Sequence, residues 1–256
     1  MSKTRHGKIR TLSARFSLGH RIDWHSHSWS QLLYATEGVV TVESRSACWV
    51  APTRRGIWVP AGTEHSLKMH GRVFLQTVYL ERHHARTADL TCSAFEISRL
   101  MHELIVHVCD LGLVSGDTKE NQTLIQFFTD QVERLNPFPL VIPMPQDERA
   151  RRLAARIVDA PGSAESLADL SGESGASLRT MQRIFTEEVG VPLSRWRNQV
   201  KMFAAVQLLA NGRSVTNIAF DLGFESVSAF VCSFRHYFGD SPGQYRSKQC
   251  LSNAQP

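Results

Sequence analysis

The sequence predicts an α and β multidomain fold, with an antiparallel β-domain in front and an all-α domain behind it. The front of the chain, from about residue 9 to residue 82, is rich in Val, Trp, Tyr, Thr and Leu and is interrupted by Gly or Pro at short intervals. Many short strands without intervening helices are typical of a sandwiched or closed β-domain. The middle repeats apolar residues at helical spacing, and the segment after residue 147 carries one helix–turn–helix pattern twice.

Several runs of the front segment are predicted strands. Residues 32–36 and 39–42 flank Glu37 and Gly38, which predicts a β-hairpin with its turn at that pair. Further strands are predicted at 47–51, 56–59 and 73–80.

The middle of the chain predicts two helices, over 93–113 and 120–135, separated by a break at 112–116. Joined by a short polar loop, they would form an antiparallel pair. This pair either covers the β-domain or meets its copy in a second chain, and we favour the second use. The prolines that follow, at 137, 139, 143 and 145, predict a stiff extended linker.

The repeat in the last part of the chain is the most specific pattern. Its two copies share an order of apolar residue, glycine, serine, phenylalanine and glycine: Leu170, Gly175, Ser177, Phe185 and Gly190, then Ile218, Gly223, Ser226, Phe234 and Gly239. Each copy predicts a short helix, a turn at glycine and a second helix capped by serine, with small Ser171 and Ala219 at the crossing. A helix over 193–211 would hold the copies about one DNA turn apart, near 34 Å.

The segment from 153 to 246 resembles the DNA-binding domain of the AraC/XylS family of bacterial transcription regulators. The resemblance rests on the run 218–226 (IAFDLGFES) and on the residues that follow it: Phe230, Phe234, Arg235, Phe238, Gly239, Ser241, Pro242 and Tyr245. It implies a sequence-specific regulator, activator or repressor, whose second helix in each unit enters the major groove of double-stranded DNA. A homodimer and contact with RNA polymerase are further expectations.

The resemblance also assigns groove-facing positions. In the first unit they are Arg179, Gln182 and Arg183, and in the second Val227, Ser228, Val231 and Cys232, with Arg235 beside them. Arginine pairs with guanine and glutamine with adenine, whereas apolar groups contact thymine methyls. We therefore expect the first unit to supply most of the sequence choice and the second to read shape and phosphates. The alternative for the polar positions is an ordinary solvated helix face.

Histidines in the β-segment resemble cupin motifs. The first motif is reproduced by Gly19, His25, His27, Gln31 and Gly38, with glutamine where a glutamate is usual. Pro60, Gly62 and His65 match the second motif, although Arg54 and Met69 replace its glycine and asparagine. The resemblance implies a jelly-roll barrel in which His25, His27, Gln31 and His65 form an effector or metal site, and imidazoles there suit one divalent Zn, Ni, Cu or Fe ion. Two alternatives stay open: a metal-free pocket whose histidines donate to an organic anion, and a structural role.

Composition favours a DNA-binding protein in a reducing compartment. The net charge is +5 over 256 residues, and the five cysteines form no CxxC pair. No apolar run reaches membrane-spanning length, so we expect a cytoplasmic protein without a membrane partner.

These observations predict four segments: a sensor domain (1–90), a helical dimerisation hairpin (91–136), a linker (137–146) and a DNA-binding domain (147–250) with units at about 165–188 and 214–238. The predicted function is transcription regulation in response to a small effector or metal ion. One alternative is an effector-independent DNA-binding dimer whose β-domain is a scaffold. Another is a metal-dependent cupin enzyme, which does not explain the tandem helix–turn–helix.

Overall fold

The computed structural model describes residues 8–81, 92–136 and 141–251, with side chains to residue 247. The chain divides into two compact units, one made of 1–44 and 49–141 and the other of 45–48 and 142–256. Part of the predicted linker, 137–140, lies outside the described residues. No helix in the described ranges has the length and apolar character needed to cross a bilayer.

The first unit is built on an antiparallel sheet. Its strands are β1 (Lys8–Phe16), β2 (Arg21–His25), β3 (Ser30–Ser44), β4 (Ala47–Pro52), β5 (Arg55–Val59), β6 (His65–Leu80), β7 (Ser93–Glu96) and β8 (Leu113–Ser115); a ninth, β9 (Val141–Pro143), follows. The main path runs β7-β5-β3-β6-β1-β8, and β2 pairs with β6 beside it. The predicted β-domain is confirmed, but the described strands do not close β7 onto β8, so the sheet is open and the predicted closed barrel is wrong in this detail.

Strand β3 corrects the predicted hairpin, because it continues through Glu37 and Gly38 without a turn. Gly38 has φ 76°, and a Cβ there would lie 2.3 Å from the carbonyl oxygen of Arg72 on β6. The pairing register shifts on both sides of Glu37. The glycine therefore accommodates a β-bulge against a long partner strand, a second use of positive φ that the sequence alone does not distinguish from a turn.

Two helices form a layer on one face of this sheet. Helix α1 (Arg99–Leu111) is capped by Ser98 and α2 (Lys119–Glu133) by Thr118. The first begins later than predicted, because 93–96 pair with β5 as strand β7. Buried side chains from both layers share one core: Ile9, Leu32, Tyr34, Trp58, Val78, Leu80, Phe95, Ile97, Met101, Ile105, Val108, Val114, Ile125, Phe128 and Val132. The helical pair thus covers the sheet of its own chain.

The second unit is helical. Its helices are α3 (Glu148–Asp159), α4 (Leu167–Glu173), α5 (Leu178–Ile184), α6 (Leu193–Ala210), α7 (Val215–Asp221), α8 (Val227–Phe238) and α9 (Pro242–Leu251), and a π-helical turn (Phe185–Val189) follows α5. Side-chain caps begin five of them: Asp147, Ser166, Ser177, Ser214 and Ser226. The sequence repeat is therefore a structural repeat, α4–α5 and α7–α8, on either side of α6.

Candidate functional site

The first helix–turn–helix unit presents one polar face. Ser177 begins α5 by accepting the amide hydrogen of Thr180, after a turn in which Gly175 has φ 90°. Ser171 is fully buried at the crossing of the two helices, as predicted. The apolar face of the second helix is turned into the core: Met181, Ile184 and Phe185. The three predicted groove-facing residues lie on the opposite, exposed face: Arg179, Gln182 and Arg183.

Arg183 has a partner that the sequence analysis missed. Its Nη1 donates to Glu187 Oε2 over 2.8 Å, four residues further on, and both side chains are more than half exposed. Exposed pairs of this spacing contribute about 0.3–0.5 kcal/mol. The ion pair therefore holds the guanidinium only weakly. The spacing of four residues between opposite charges is the sequence pattern that predicts such a pair.

The second helix–turn–helix unit has the same architecture, but its predicted DNA-facing residues are less polar. Ser226 begins α8 by accepting the amide hydrogen of Ala229, and Ala219 is fully buried at the crossing. On the reading face, Val227 and Val231 are half-buried, whereas the other three predicted residues are exposed: Ser228, Cys232 and Arg235. This face offers apolar contacts and few hydrogen-bond donors.

Two basic side chains of α6, Arg197 and Lys201, make contacts within the helical unit. Arg197 on α6 donates from Nη1 to the carbonyl oxygen of Glu165 (2.9 Å) and from Nη2 to that of Ser163 (2.6 Å). Lys201, one turn further, lies 5.4 Å from the ring centre of Phe224. Burial, aided by the charge of Arg197, lowers the pKa of Lys201.

In the β-sheet unit of the chain, four predicted site residues lie close together: His25, His27, Gln31 and His65. His25 and His65 are cross-strand partners on β2 and β6, and Gln31 on β3 lies opposite Tyr79 on β6. His27 follows the end of β2. The candidate ligand atoms of the three histidines all lie within 4.8 Å of one another.

Backbone carbonyls determine the tautomer of all three imidazoles. Each Nδ1 lies beside a carbonyl oxygen two residues away: His25 beside Asp23 (2.8 Å), His27 beside Trp29 (2.5 Å) and His65 beside Thr63 (2.9 Å). A carbonyl oxygen only accepts, so each Nδ1 carries the proton and donates it. A ring that carries its single proton on Nδ1 presents the lone pair of Nε2, which is the arrangement that orients metal-ligating histidines.

Gln31 lies between two of these lone pairs. Its Oε1 is 3.0 Å from His27 Nε2 and 3.1 Å from His65 Nε2, and its Nε2 is 3.1 Å from the hydroxyl of Tyr79. Three acceptor atoms at such distances repel one another unless a cation lies among them or the amide is turned over. The turned amide donates to both imidazoles and accepts from Tyr79. Both orientations fit the contacts, because amide oxygen and nitrogen have the same shape.

Burial determines the protonation of the deepest member. His65 is fully buried, and this burial lowers its pKa to about 4, against the smaller opposing effect of the Thr63 carbonyl. The loop before it is fixed by the amide of Gly62, which donates to the His27 carbonyl over 2.8 Å. At the position of the missing motif glycine, Arg54 adopts φ 65°, a left-handed conformation that favours glycine.

Two family models match the chain. One, described as "AraC-like ligand binding domain", covers residues 6–93, and the other, "Helix-turn-helix domain", covers residues 170–248. Together the matched ranges make up more than half of the chain.

Curated relatives include HTH-type transcriptional regulators. NimR of Escherichia coli (strain K12) is 28% identical over 221 residues, which are 86% of this chain and 81% of that protein. RipA of Corynebacterium glutamicum is 32% identical over 126 residues, 49% of this chain and 36% of that protein. Among solved structures, ToxT of Vibrio cholerae O395 aligns with 94% of this chain and 99% of its own at 13% identity and a TM-score of 0.41.

Proposed function

The chain belongs to the AraC family of transcription regulators, with the ligand-binding domain and the helix–turn–helix domain of that family, and from this premise we propose how each unit works. The chain is a regulator and not an enzyme. In our proposal, a divalent transition metal bound by the imidazole cluster is the signal, and α5 provides most of the base contacts. The observation that carries the proposal is the convergence of three imidazoles, whose candidate ligand atoms lie within 4.8 Å of one another and whose Nδ1 atoms each lie beside a backbone carbonyl.

The donor set fits a metal better than it fits an organic anion. An anion needs hydrogen-bond donors, and a neutral ring that donates its Nδ1 proton to a carbonyl has no second donor to offer. A transition metal needs the lone pairs that remain, at about 2.0–2.1 Å from each nitrogen. Ligand atoms around one ion at those distances lie at most about 4.2 Å apart, so binding requires a small contraction of the cluster. Zn, Ni, Cu and Fe all accept imidazole.

Gln31 is the proposed fourth ligand. With the amide oxygen toward the metal, its NH2 group donates to Tyr79; without a metal, the amide turns over and the tyrosine donates instead. Metal occupancy would in this way reverse the direction of one hydrogen bond between β3 and β6. A neutral amide also leaves the site less negative than the glutamate of the usual cupin motif.

Metal content tests this part of the proposal. Purified full-length protein should retain close to one equivalent by elemental analysis, or take one up on titration with Zn²⁺ or Ni²⁺. The triple variant His25→Ala, His27→Ala, His65→Ala should retain none, and the exposed His107 on α1 offers a matched control, His107→Ala. No uptake by the wild-type chain would contradict a metal site and favour an organic effector.

The coupling to DNA needs its own measurement. Operator affinity of the metal-loaded and metal-free wild-type chain should differ, whereas the triple variant should show one affinity in both conditions. Equal affinities in the wild-type chain would favour the alternative in which the β-domain is only a scaffold. The salt dependence of binding should be steep, as for any interface rich in phosphate contacts.

For DNA reading, we propose that Arg183 pairs with a guanine and Gln182 with an adenine, because both side chains are exposed on the face that the helix–turn–helix turns to the groove. On α8, Val227 and Val231 would contact thymine methyls, while Arg235, exposed in the last turn, would contact phosphate.

Assembly is part of the same proposal. We propose a homodimer formed through the outer side of the helical layer, where Leu100, Leu111 and Phe127 are 51%, 50% and 42% exposed. Light scattering should find a dimer, and Leu100→Glu with Phe127→Glu should shift it toward monomer; a wild-type monomer would contradict the proposal. Contact with RNA polymerase, testable by transcription in vitro, and a cytoplasmic location follow from promoter binding.

A further inference from the structure

We propose that Gly162 sets the separation of the two reading helices, because it lets the loop before the first helix–turn–helix unit touch the turn of the second. The inference rests on the DNA-binding function stated above. It assigns a positioning role to Gly162, which is neither one of the predicted DNA-contacting residues nor a member of the imidazole cluster.

The contact joins main chain to main chain. An ideal Cβ on Gly162 would lie 1.8 Å from the carbonyl oxygen of Asp221, 2.9 Å from its carbonyl carbon and 3.2 Å from the Cα of Leu222. None of these atoms belongs to a flexible side chain. From the other side, Gly223, with φ 69°, would bring a Cβ to 3.3 Å from the carbonyl oxygen of Gly162. Glycine at 162 is therefore a requirement of the packing.

This contact lies where it affects the position of both helix–turn–helix units. Asp221 ends α7, and Gly223 belongs to the turn that leads to Ser226, the cap of α8. Gly162 belongs to the loop that leads to Ser166, the cap of α4. A displacement of either loop at this contact therefore moves the first helix–turn–helix unit relative to the second, even if α6 itself does not move.

Helix α6 braces the same place from both sides. Arg197 holds the loop of the first unit through the carbonyls of Ser163 and Glu165, and its own Nε is buried without a partner. Lys201 contacts Phe224, the residue after the turn of the second unit. Three elements thus meet around Gly162, and a methyl group there would point straight at the backbone of Asp221 and Leu222.

An alanine at 162 forces the two loops apart by roughly 1.5 Å or more, since carbon and oxygen pack at about 3.5 Å. Two linked binding modules gain about 10²–10⁴ in affinity over one, provided that both can engage at once. A changed separation removes part of this gain and leaves each module intact. Binding to both segments of an operator should therefore suffer, and binding to one segment should not.

The experiment uses the full chain and the duplex that the wild-type chain enriches from a random-sequence library. Gel shifts measure affinity for this duplex and for two derivatives, each with one of the two recognised segments scrambled. The variants are Gly162→Ala and, as a matched control, Gly172→Ala, where an added Cβ has no heavy atom within 4 Å. A third variant, Arg197→Gln, weakens the brace without adding bulk.

We expect Gly162→Ala to lose on the order of 10²-fold on the intact duplex and to match the wild-type chain on both one-segment duplexes. Gly172→Ala should match it on all three, and Arg197→Gln should show a smaller loss confined to the intact duplex. Wild-type affinity of Gly162→Ala on the intact duplex would overturn the inference, and so would an equal loss on all duplexes, which indicates a damaged unit.

If Gly162→Ala does not fold, judged by circular dichroism, the test is decided by Arg197→Gln, and its unchanged affinity for the intact duplex overturns the inference. If the wild-type chain enriches no duplex, sequence-specific reading itself fails, and the inference fails with it. That result is distinct from the failure of the spacing role alone.

Discussion

Replacing Arg183 by alanine should weaken binding to the preferred operator selectively. In the free protein the guanidinium is paired with Glu187 at 2.8 Å, with side-chain exposures of 62% and 57%. An exposed pair of this kind contributes about 0.3–0.5 kcal/mol, and DNA binding must break it. A bidentate contact to guanine discriminates by about 1–3 kcal/mol. The net loss is therefore about 0.5–2.5 kcal/mol, or roughly 2- to 70-fold in the dissociation constant.

The assay is a gel-shift titration on the preferred duplex and on random DNA at several salt concentrations. Arg183→Ala should lose affinity mainly on the preferred duplex and should leave the salt slope nearly unchanged. Its partner variant, Glu187→Gln, frees the guanidinium and removes a negative charge near DNA, so it should bind about twofold more tightly or better. An equal loss on both DNAs, with the slope reduced by about 0.9, would make Arg183 a phosphate contact and refute the base-reading role.

Four further predictions concern the stability of the protein. Arg54→Gly should raise the stability of the first unit by about 1 kcal/mol, because it relieves a left-handed backbone at φ 65°; an unchanged or lower melting temperature would contradict this. Gly38→Ala should destabilise the same unit by more than 1 kcal/mol or so, since its Cβ would meet the Arg72 carbonyl at 2.3 Å, and denaturant titration measures the loss. Ser226→Ala should cost about 1 kcal/mol through the lost cap of α8, whereas Ser228→Ala on the same exposed turn should cost little; equal effects would argue against capping. A chelator should lower the melting temperature of metal-loaded protein, because it removes a stabilising free energy of RT ln(1+[L]/Kd), where [L] is the free metal concentration. The triple histidine variant should show no shift, and a shift of equal size in that variant would indicate that the metal binds outside the imidazole cluster.

The C-terminal repeat is predictable from sequence because its signals are local. Ser177 and Ser226 accept amide hydrogens three residues on, and Gly175 and Gly223 adopt positive φ between the helices. Each of these interactions joins residues that are close in the chain. A cap or a left-handed glycine therefore has nearly the same meaning in the sequence as in the fold.

The β-segment is predictable in class but not in detail. The sequence indicated strands, yet Gly38 serves a bulge and not a turn, and the segment at 93–96 pairs as a strand although its apolar spacing fits a helix. Both outcomes depend on distant partners, β6 in one case and β5 in the other. Local patterns carry little information about which strand lies alongside.

The sequence by itself determined the two kinds of domain, the tandem reading units and the residue types at the imidazole cluster, since motif spacing and short-range capping are properties of the chain. Tertiary structure alone decided that the three imidazoles meet, that Gln31 lies between two of them, and that Gly162 touches Asp221. These contacts join atoms from separate strands or loops. Their distances depend on how the whole unit packs, which no local pattern encodes.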